Sequence, residues 1–374
     1  MCGAPWLNRT PLKCNEREVI VAAVRAEGLY KIFGRRAEDA VRRLQEGASR
    51  EDVITSGVTP AVIDASFEVV PGEIFVVMGL SGSGKSTLIR MLNGLLSPTA
   101  GHVYVGGEDV AALDAGALRA LRRDQMSMVF QHFALLPHRT VRENAAYALK
   151  VRGMDKATRA AKATAALDLV GLSGWENKLP QQLSGGMKQR VGLARALAAE
   201  TEIMLMDEAF SALDPLIRRE MQDQLLDLQS RLNKTIIFIT HDLNEAMRLG
   251  DRIAVMRAGR IVQIGTAEVI LREPANDYVA QFIQDVDRTR VLTAASVMQP
   301  ARADLPEGGQ ATVRPDTLLA EVFTLCGQSR LPVAVVDEDR RMLGVISQAT
   351  LLTAMGNRNA GSAERAEKGR IGHG

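Results

Sequence analysis

The chain has 374 residues, with 46 Lys plus Arg against 44 Asp plus Glu and a net charge of +2, so it lacks the basic excess on which nucleic-acid binding rests. Its 46% hydrophobic and 24% charged residues are those of a globular protein, which excludes disorder and collagen, and the length suggests about two to three domains. With 4% aromatic residues, among them only Trp6 and Trp175 as tryptophans, no stacking platform for single-stranded nucleic acid is expected.

The N-terminal residues show no apolar core before a small-residue cleavage site, so no secretory signal is expected. No apolar run reaches the roughly 18 to 20 residues that span a bilayer, and the reading places the chain in the cytosol. Cys2, Cys14 and Cys326 form an odd set without a close pair, as in a reducing compartment. The histidines offer no metal-ligand spacing. After an N-terminal tail, residues 1–20, the stretch 19–33 reads as strand then loop. RRAEDAVRRLQEGASREDVITSG follows, with Val41, Leu44 and Gln45 at helical spacing and Gly47 as a stop, and predicts one short surface helix between two strands.

From Val62 the pattern is strand (VIDASFEVV), turn at Pro71-Gly72, strand (EIFVVM), glycine loop and helix (STLIRMLNGLL). Further strands are predicted over 126–130, 203–206, 235–240 and 251–256. Runs such as IMLM and IIFI belong to a sheet buried on both faces, hence an α/β domain around a mostly parallel sheet. Between 131 and 199 the signals are helical, with Ala160, Ala163, Leu167 and Val170 sharing one face, and predict a helical subdomain. Past Asp287, a loose connection at Pro300, Pro306, Gly308 and Gly309 leads to helix (DTLLAEVFTLCGQ), strand (LPVAVVD), turn, strand (MLGVIS) and helix (ATLLTAM). Residues 357–374, rich in Gly and charge, are expected to be a disordered tail.

Three motifs carry chemistry. GLSGSGKST (Gly79, Ser81, Gly82, Ser83, Gly84, Lys85, Ser86, Thr87) lies between a buried strand and a helix, where backbone N–H groups and the helix N-terminus cradle phosphates. Lys85 would reach the β- and γ-phosphates of a nucleotide, and Ser86 would give an oxygen to Mg²⁺. IMLMDEAF ends an apolar strand on two carboxylates, costly to bury unless something cationic receives them, as a magnesium nucleotide does. Asp207 would orient the metal through water, and Glu208, facing the other way along the strand, would polarise the attacking water. LSGGMKQR places Ser184, Gly185, Gly186 and Met187 at a second helix N-terminus ready for an anion.

With this last motif the sequence resembles the ATPase subunits of ATP-binding-cassette transporters, from about Val21 to Ala354. The resemblance implies a P-loop NTPase cassette with a RecA-like core, an antiparallel β subdomain and a helical subdomain. It also implies a head-to-tail homodimer in which Ser184–Met187 close over ATP held by the partner. Gln131 matches the glutamine that touches Mg²⁺ and the attacking water. Ser211 and Asp214 match the interface loop, and His241 the histidine at the γ-phosphate. Phe33 lies where the family stacks an aromatic on adenine, with Tyr30 as a substitute and a core aromatic as the plain alternative. His132 and His138 fit a docking surface for a membrane helix.

Within the family the chain is similar to ATPases energising import of quaternary amines: glycine betaine, proline betaine, choline and carnitine. The insertion after Phe33, the signature with Met187, DEAFSALDPLIRREMQDQLLDLQ and THDLNEAMRLGDRIAVMRAGRIVQIGT carry that likeness. It implies two integral-membrane permease subunits, a substrate-binding protein reached through them, no nucleic acid, and a peripheral position on the cytoplasmic face of the inner membrane. An amino acid or another osmolyte as cargo, or a soluble non-transport cassette, are the rival readings. The expected division is a cassette over 21–287, with its helical subdomain at about 131–199, and a single CBS-like module over 288–356. That module senses ionic strength or a ligand, or only braces the dimer. Thr350, where many adenosine-binding modules have Asp, argues against a nucleotide there.

Overall fold

The computed structural model describes residues 22–300, 310–328 and 331–356; the two sequence-predicted tails lie outside these residues, as do Cys2, Cys14 and Trp6. The chain divides into two compact units, up to Thr266 and from Ala267.

A six-stranded sheet forms the centre of the first unit, in the order Arg260–Gly265, Arg252–Arg257, Ile74–Met78, Thr235–Thr240, Ile203–Asp207, Met126–Val129. All neighbours are parallel except the edge strand Arg260–Gly265. Every residue of Ile74–Met78, Ile203–Asp207 and Thr235–Thr240 is buried, which is why those runs are continuously apolar. Parallel pairing in close register, Met78 beside Thr240 and Asp207 beside Ile239, brings the carboxyl ends of four strands to one edge. The residues that follow them, Gly79, Glu208, His241 and Gln131, therefore emerge together, at the edge where open α/β sheets bind ligands.

A second, antiparallel sheet has the order Thr59–Val69, Val24–Phe33, Ala100–Val105, Glu108–Asp109. It shares one apolar core with the central sheet, where Phe67 stacks on Phe75 at 5.1 Å between ring centroids. The insertion after Phe33 folds as two helices, Ala37–Gln45 and Arg50–Ile54, not the single one expected. Gly47 does end the first, but Ser49 and Asp52 then form a reciprocal capping box that starts the second. The pair covers a small core of its own, with Tyr30, Ile32, Ala40, Val41, Leu44, Val53, Val58 and Ile63.

Helices Val141–Ala145, Tyr147–Val151, Lys156–Leu169 and Gly185–Ala198 form the helical layer. Ala163, Leu167 and Val170 are buried as their spacing predicts. Fully buried Asn144 pins the preceding loop, accepting from the Leu136 N–H at 2.8 Å and donating to the carbonyls of Leu136, Arg139 and Thr140.

The later unit holds helices Ala267–Arg272 and Asp277–Phe282, then a three-stranded sheet. Val333–Val336 is its centre, parallel to Thr312–Val313 and antiparallel to Met342–Ile346, with helices Leu319–Gln328 and Gln348–Gly356. Cys326 is buried there, and burial pushes its thiol up, away from the reactive thiolate.

Candidate functional site

The glycine loop is wedged between backbones. A Cβ on Gly79 would stand 2.3 Å from the Met256 carbonyl oxygen, and one on Gly84, whose φ is +106°, 2.2 Å from that of Ala61. No side chain fits at either position, so glycine is required for the loop to lie against its neighbours. Gly84 caps the helix Lys85–Leu92, whose first-turn N–H groups face the loop. Ser81, Gly82 and Leu80 are exposed, while Ser83 and Lys85 are buried.

Lys85 is 4% exposed, and its ammonium donates to the carbonyls of Gly79 at 2.8 Å and Leu80 at 3.1 Å. Burial lowers its pKa, while Glu208 and Asp207 raise it in part. A cation drawn out of water but left on carbonyls is set to receive stronger anionic partners.

Asp207 ends its strand, and its Oδ1 accepts from the Ser86 hydroxyl at 3.1 Å. Burial pushes this carboxyl up, opposed by Ser86, Arg90 and Lys85. A hydroxyl and a buried carboxylate side by side are hard oxygen donors of the kind Mg²⁺ takes.

Glu208 lies just past the strand end, and a left-handed turn, not strand alternation, sets its direction: φ is +45°, although its N–H still bonds Ile239 O at 3.0 Å. Its carbonyl is held by the Ser211 N–H at 3.1 Å and the Ser211 hydroxyl at 2.9 Å. Three side chains converge on its carboxylate: the Lys85 ammonium at 3.9 Å, His241 Nδ1 at 3.2 Å and the Gln131 amide at 3.2 Å. Gln131 also reaches the Ser211 hydroxyl at 3.4 Å.

The signature helix Gly185–Ala198 is finished differently. Ser184 is exposed, and its hydroxyl accepts from the Met187 N–H at 3.3 Å. Gly186 faces Ile217 so closely that a Cβ would stand 2.7 Å from its Cγ2. Asp214 caps the helix Pro215–Leu232 through the Ile217 N–H at 3.1 Å. Of the two candidate aromatics, Tyr30 lies in the insertion core while Phe33 is 42% exposed, with the Lys31 ammonium 5.3 Å from its ring centroid. His132 and His138 are both exposed.

Arg195 went unread in the sequence. From the signature helix it donates to the carbonyls of Phe133 at 3.0 Å and Ala134 at 2.6 Å. Both are left-handed non-glycine residues, so the guanidinium clasps a strained turn two residues past Gln131. Nothing local marks it, because the partners are some sixty positions apart.

In the later unit, Thr350 spends its hydroxyl on Ser347 at 2.8 Å, while the Ser347 oxygen caps the helix through the Thr350 N–H at 3.1 Å. Among the described residues no group of three or more His, Cys, Asp or Glu could hold a metal, and no helix is long and apolar enough to cross a membrane.

A glycine loop, a paired-carboxylate strand end and a second glycine-led helix on one parallel sheet define a cassette ATPase. Residues 62–211 match the model described as ABC transporter and 296–357 that of a CBS domain, and the chain belongs to the ABC transporter family as an ATP-binding subunit. It is 45% identical to the glycine betaine transport ATP-binding protein OpuAA of Bacillus subtilis (strain 168), over 90% of this chain and 93% of that one. It is 50% identical to the glycine betaine/carnitine transport ATP-binding protein GbuA of Listeria monocytogenes, over 88% of this chain and 81% of that one. The dimeric bacterial ABC transporter cassette MJ0796 shares the fold with a TM-score of 0.56 and 31% identity, covering 65% of this chain and 98% of the other.

Proposed function

We propose that this chain is the ATP-hydrolysing subunit of an importer, a translocase that couples ATP turnover in a head-to-tail homodimer to uptake of a quaternary amine osmolyte. Glycine betaine, proline betaine, choline and carnitine are the candidate cargoes, and the named cargoes of the relatives support all but choline. The cassette is residues 21–287 and the CBS module 288–356. Two integral-membrane permease subunits carry the path, with a substrate-binding protein beyond them, and the chain works at the cytoplasmic face of the membrane.

The observation that carries the reading is the convergence of Lys85, His241 and Gln131 on Glu208 beside the glycine loop. Glu208 accepts a hydrogen bond from water and aims its oxygen at the γ-phosphorus. His241 and Gln131 hold that carboxylate at the same oxygen, Oε2, and His241 reaches the γ-phosphate. Lys85 exchanges its loop carbonyls for phosphate oxygens, and Phe33 stacks on adenine. Ser86, Asp207 and Gln131 would hold Mg²⁺, partly through water, and the ion, when bound, neutralises phosphate charge. Ser184–Met187 and the loop from Ser211 to Asp214 act on the nucleotide of the partner.

The test is reconstitution with the permease, asking which loaded binding protein stimulates phosphate release. Stimulation by betaine- or choline-loaded protein is expected. If both fail and another solute succeeds, the cargo assignment is wrong while the ATPase stands.

A further inference from the structure

Arg218, four residues past Asp214, is bonded to two loops that flank Glu208. Nη2 donates to the carbonyls of Leu213 at 3.1 Å and Ser211 at 3.5 Å, and Nη1 pairs with Asp242 Oδ2 at 3.0 Å. Nε stands 3.8 Å from Oε1 of Glu245, a carboxylate only 4% exposed. The turn that carries His241 is closed around the same groups. The Asp242 N–H donates to the Thr240 hydroxyl at 2.9 Å, and that hydroxyl donates to Glu245 Oε2 at 2.5 Å. Gln222 donates to Glu245 Oε1 at 3.2 Å, and Asp242 Oδ1 caps the next helix through the N–H groups of Asn244 at 2.9 Å and Glu245 at 3.3 Å.

On one side, then, the guanidinium grips the segment whose Ser211 holds the Glu208 carbonyl and meets Gln131. On the other it grips the residue next to His241, whose ring meets the Glu208 carboxylate. A planar fork with several donors can fix two segments at a set separation, which a single ammonium does poorly. It is also the cation facing two carboxylates, one of them deeply buried, so its loss would leave like charges together.

We infer that Arg218 is a positioning residue for hydrolysis, a clamp that sets the His241 turn and the Ser211–Leu213 loop at one spacing so that His241 and Glu208 are presented together. The inference rests on the ATPase reading above, and phosphate release by the unaltered chain tests that reading by itself. Against that reference, Arg218→Met in the full chain should lower kcat about tenfold while the KM for ATP stays within about twofold, since the clamp touches no nucleotide. Combined with His241→Ala, it should slow turnover no further than His241→Ala alone, because both act through one residue. Arg218→Lys should recover part of the rate. Asp242→Asn keeps the Oδ1 helix cap and replaces the Oδ2 acceptor of Arg218 with an amide N–H₂ that cannot accept. It should lower kcat about threefold with the same non-additivity, and it carries the test if Arg218→Met does not fold. Losses that multiply with His241→Ala, a KM change at constant kcat, or an unchanged rate in Arg218→Met would each overturn the inference.

Discussion

Two helix N-termini of this chain open on glycines, and they are furnished differently. The helix Lys85–Leu92 brings its own buried lysine, a hydroxyl paired with a carboxylate, and a backbone so tightly seated that a methyl group has no room. The helix Gly185–Ala198 presents an exposed serine that caps its own first turn. Both ends offer N–H donors to an anion, but only the first brings the cation and the metal-type oxygens that phosphate chemistry needs. One end is thus equipped for phosphate by its own chain, whereas the bareness of the other fits the proposal that it completes a site on a partner.

The largest expected effect lies beside the complete end. Glu208→Gln should keep ATP binding while lowering turnover by roughly 10² to 10⁴, the usual worth of a general base, measured as phosphate release at saturating nucleotide. Near-normal hydrolysis would remove Glu208 from the role. Ser184→Arg tests the half-site directly: turnover should fall on the order of 10² to 10³, as when a transition-state donor is lost, with ATP affinity of the isolated chain unchanged. Mixed in equal amounts with Glu208→Gln, it should restore about a quarter of the normal rate, because each mixed head-to-tail pair holds one intact site. No recovery on mixing would mean that the two ends serve a single chain.

Lys85→Ala should weaken ATP binding by about 10², the loss of a buried charge partner, at any protein concentration. Phe33→Ala should weaken it only about tenfold, as for loss of one base stack. The smallest effect is protonic. Burial lowers the Lys85 pKa in the free chain, and phosphate oxygens would raise it, so the bound state holds more protons. ATP affinity is then full below the free-chain value and declines as the pH rises through the bound-chain value. Titration calorimetry in alkaline buffers of different ionisation enthalpy should record proton uptake on binding; release would reverse the sign of the argument.

What could be read ahead of the structure was local. The strand Thr235–Thr240 falls where its apolar run predicts, and the glycine loop opens the helix Lys85–Leu92 as its spacing requires. The strands Ala100–Val105 and Arg260–Gly265 went unread, since a glycine and a histidine interrupt the first and a half-exposed edge dilutes the second. For Glu208 the pairing with a nucleotide loop was legible from residue type, but its direction was not, because a left-handed backbone leaves no mark in a glutamate. Arg195 and Arg218 escaped for a different reason: a guanidinium that ties distant carbonyls looks, in sequence, like any helix-surface charge.

One pairing has a bearing on how this chain can be altered. Phe33 and Thr59 are partners in the antiparallel ladder, so the two-helix insertion leaves and re-enters the sheet at neighbouring points. It is topologically an overgrown hairpin loop whose length costs only about 0.6 kcal/mol of closure entropy per doubling, but removing it would uncover Tyr30, Ile32 and Ile63, so its helices have to stay. The exposed turn at Glu46 and Gly47 between the two helices is thus the natural splice point, where a reporter or an affinity handle could be mounted with the small core and the parallel sheet untouched.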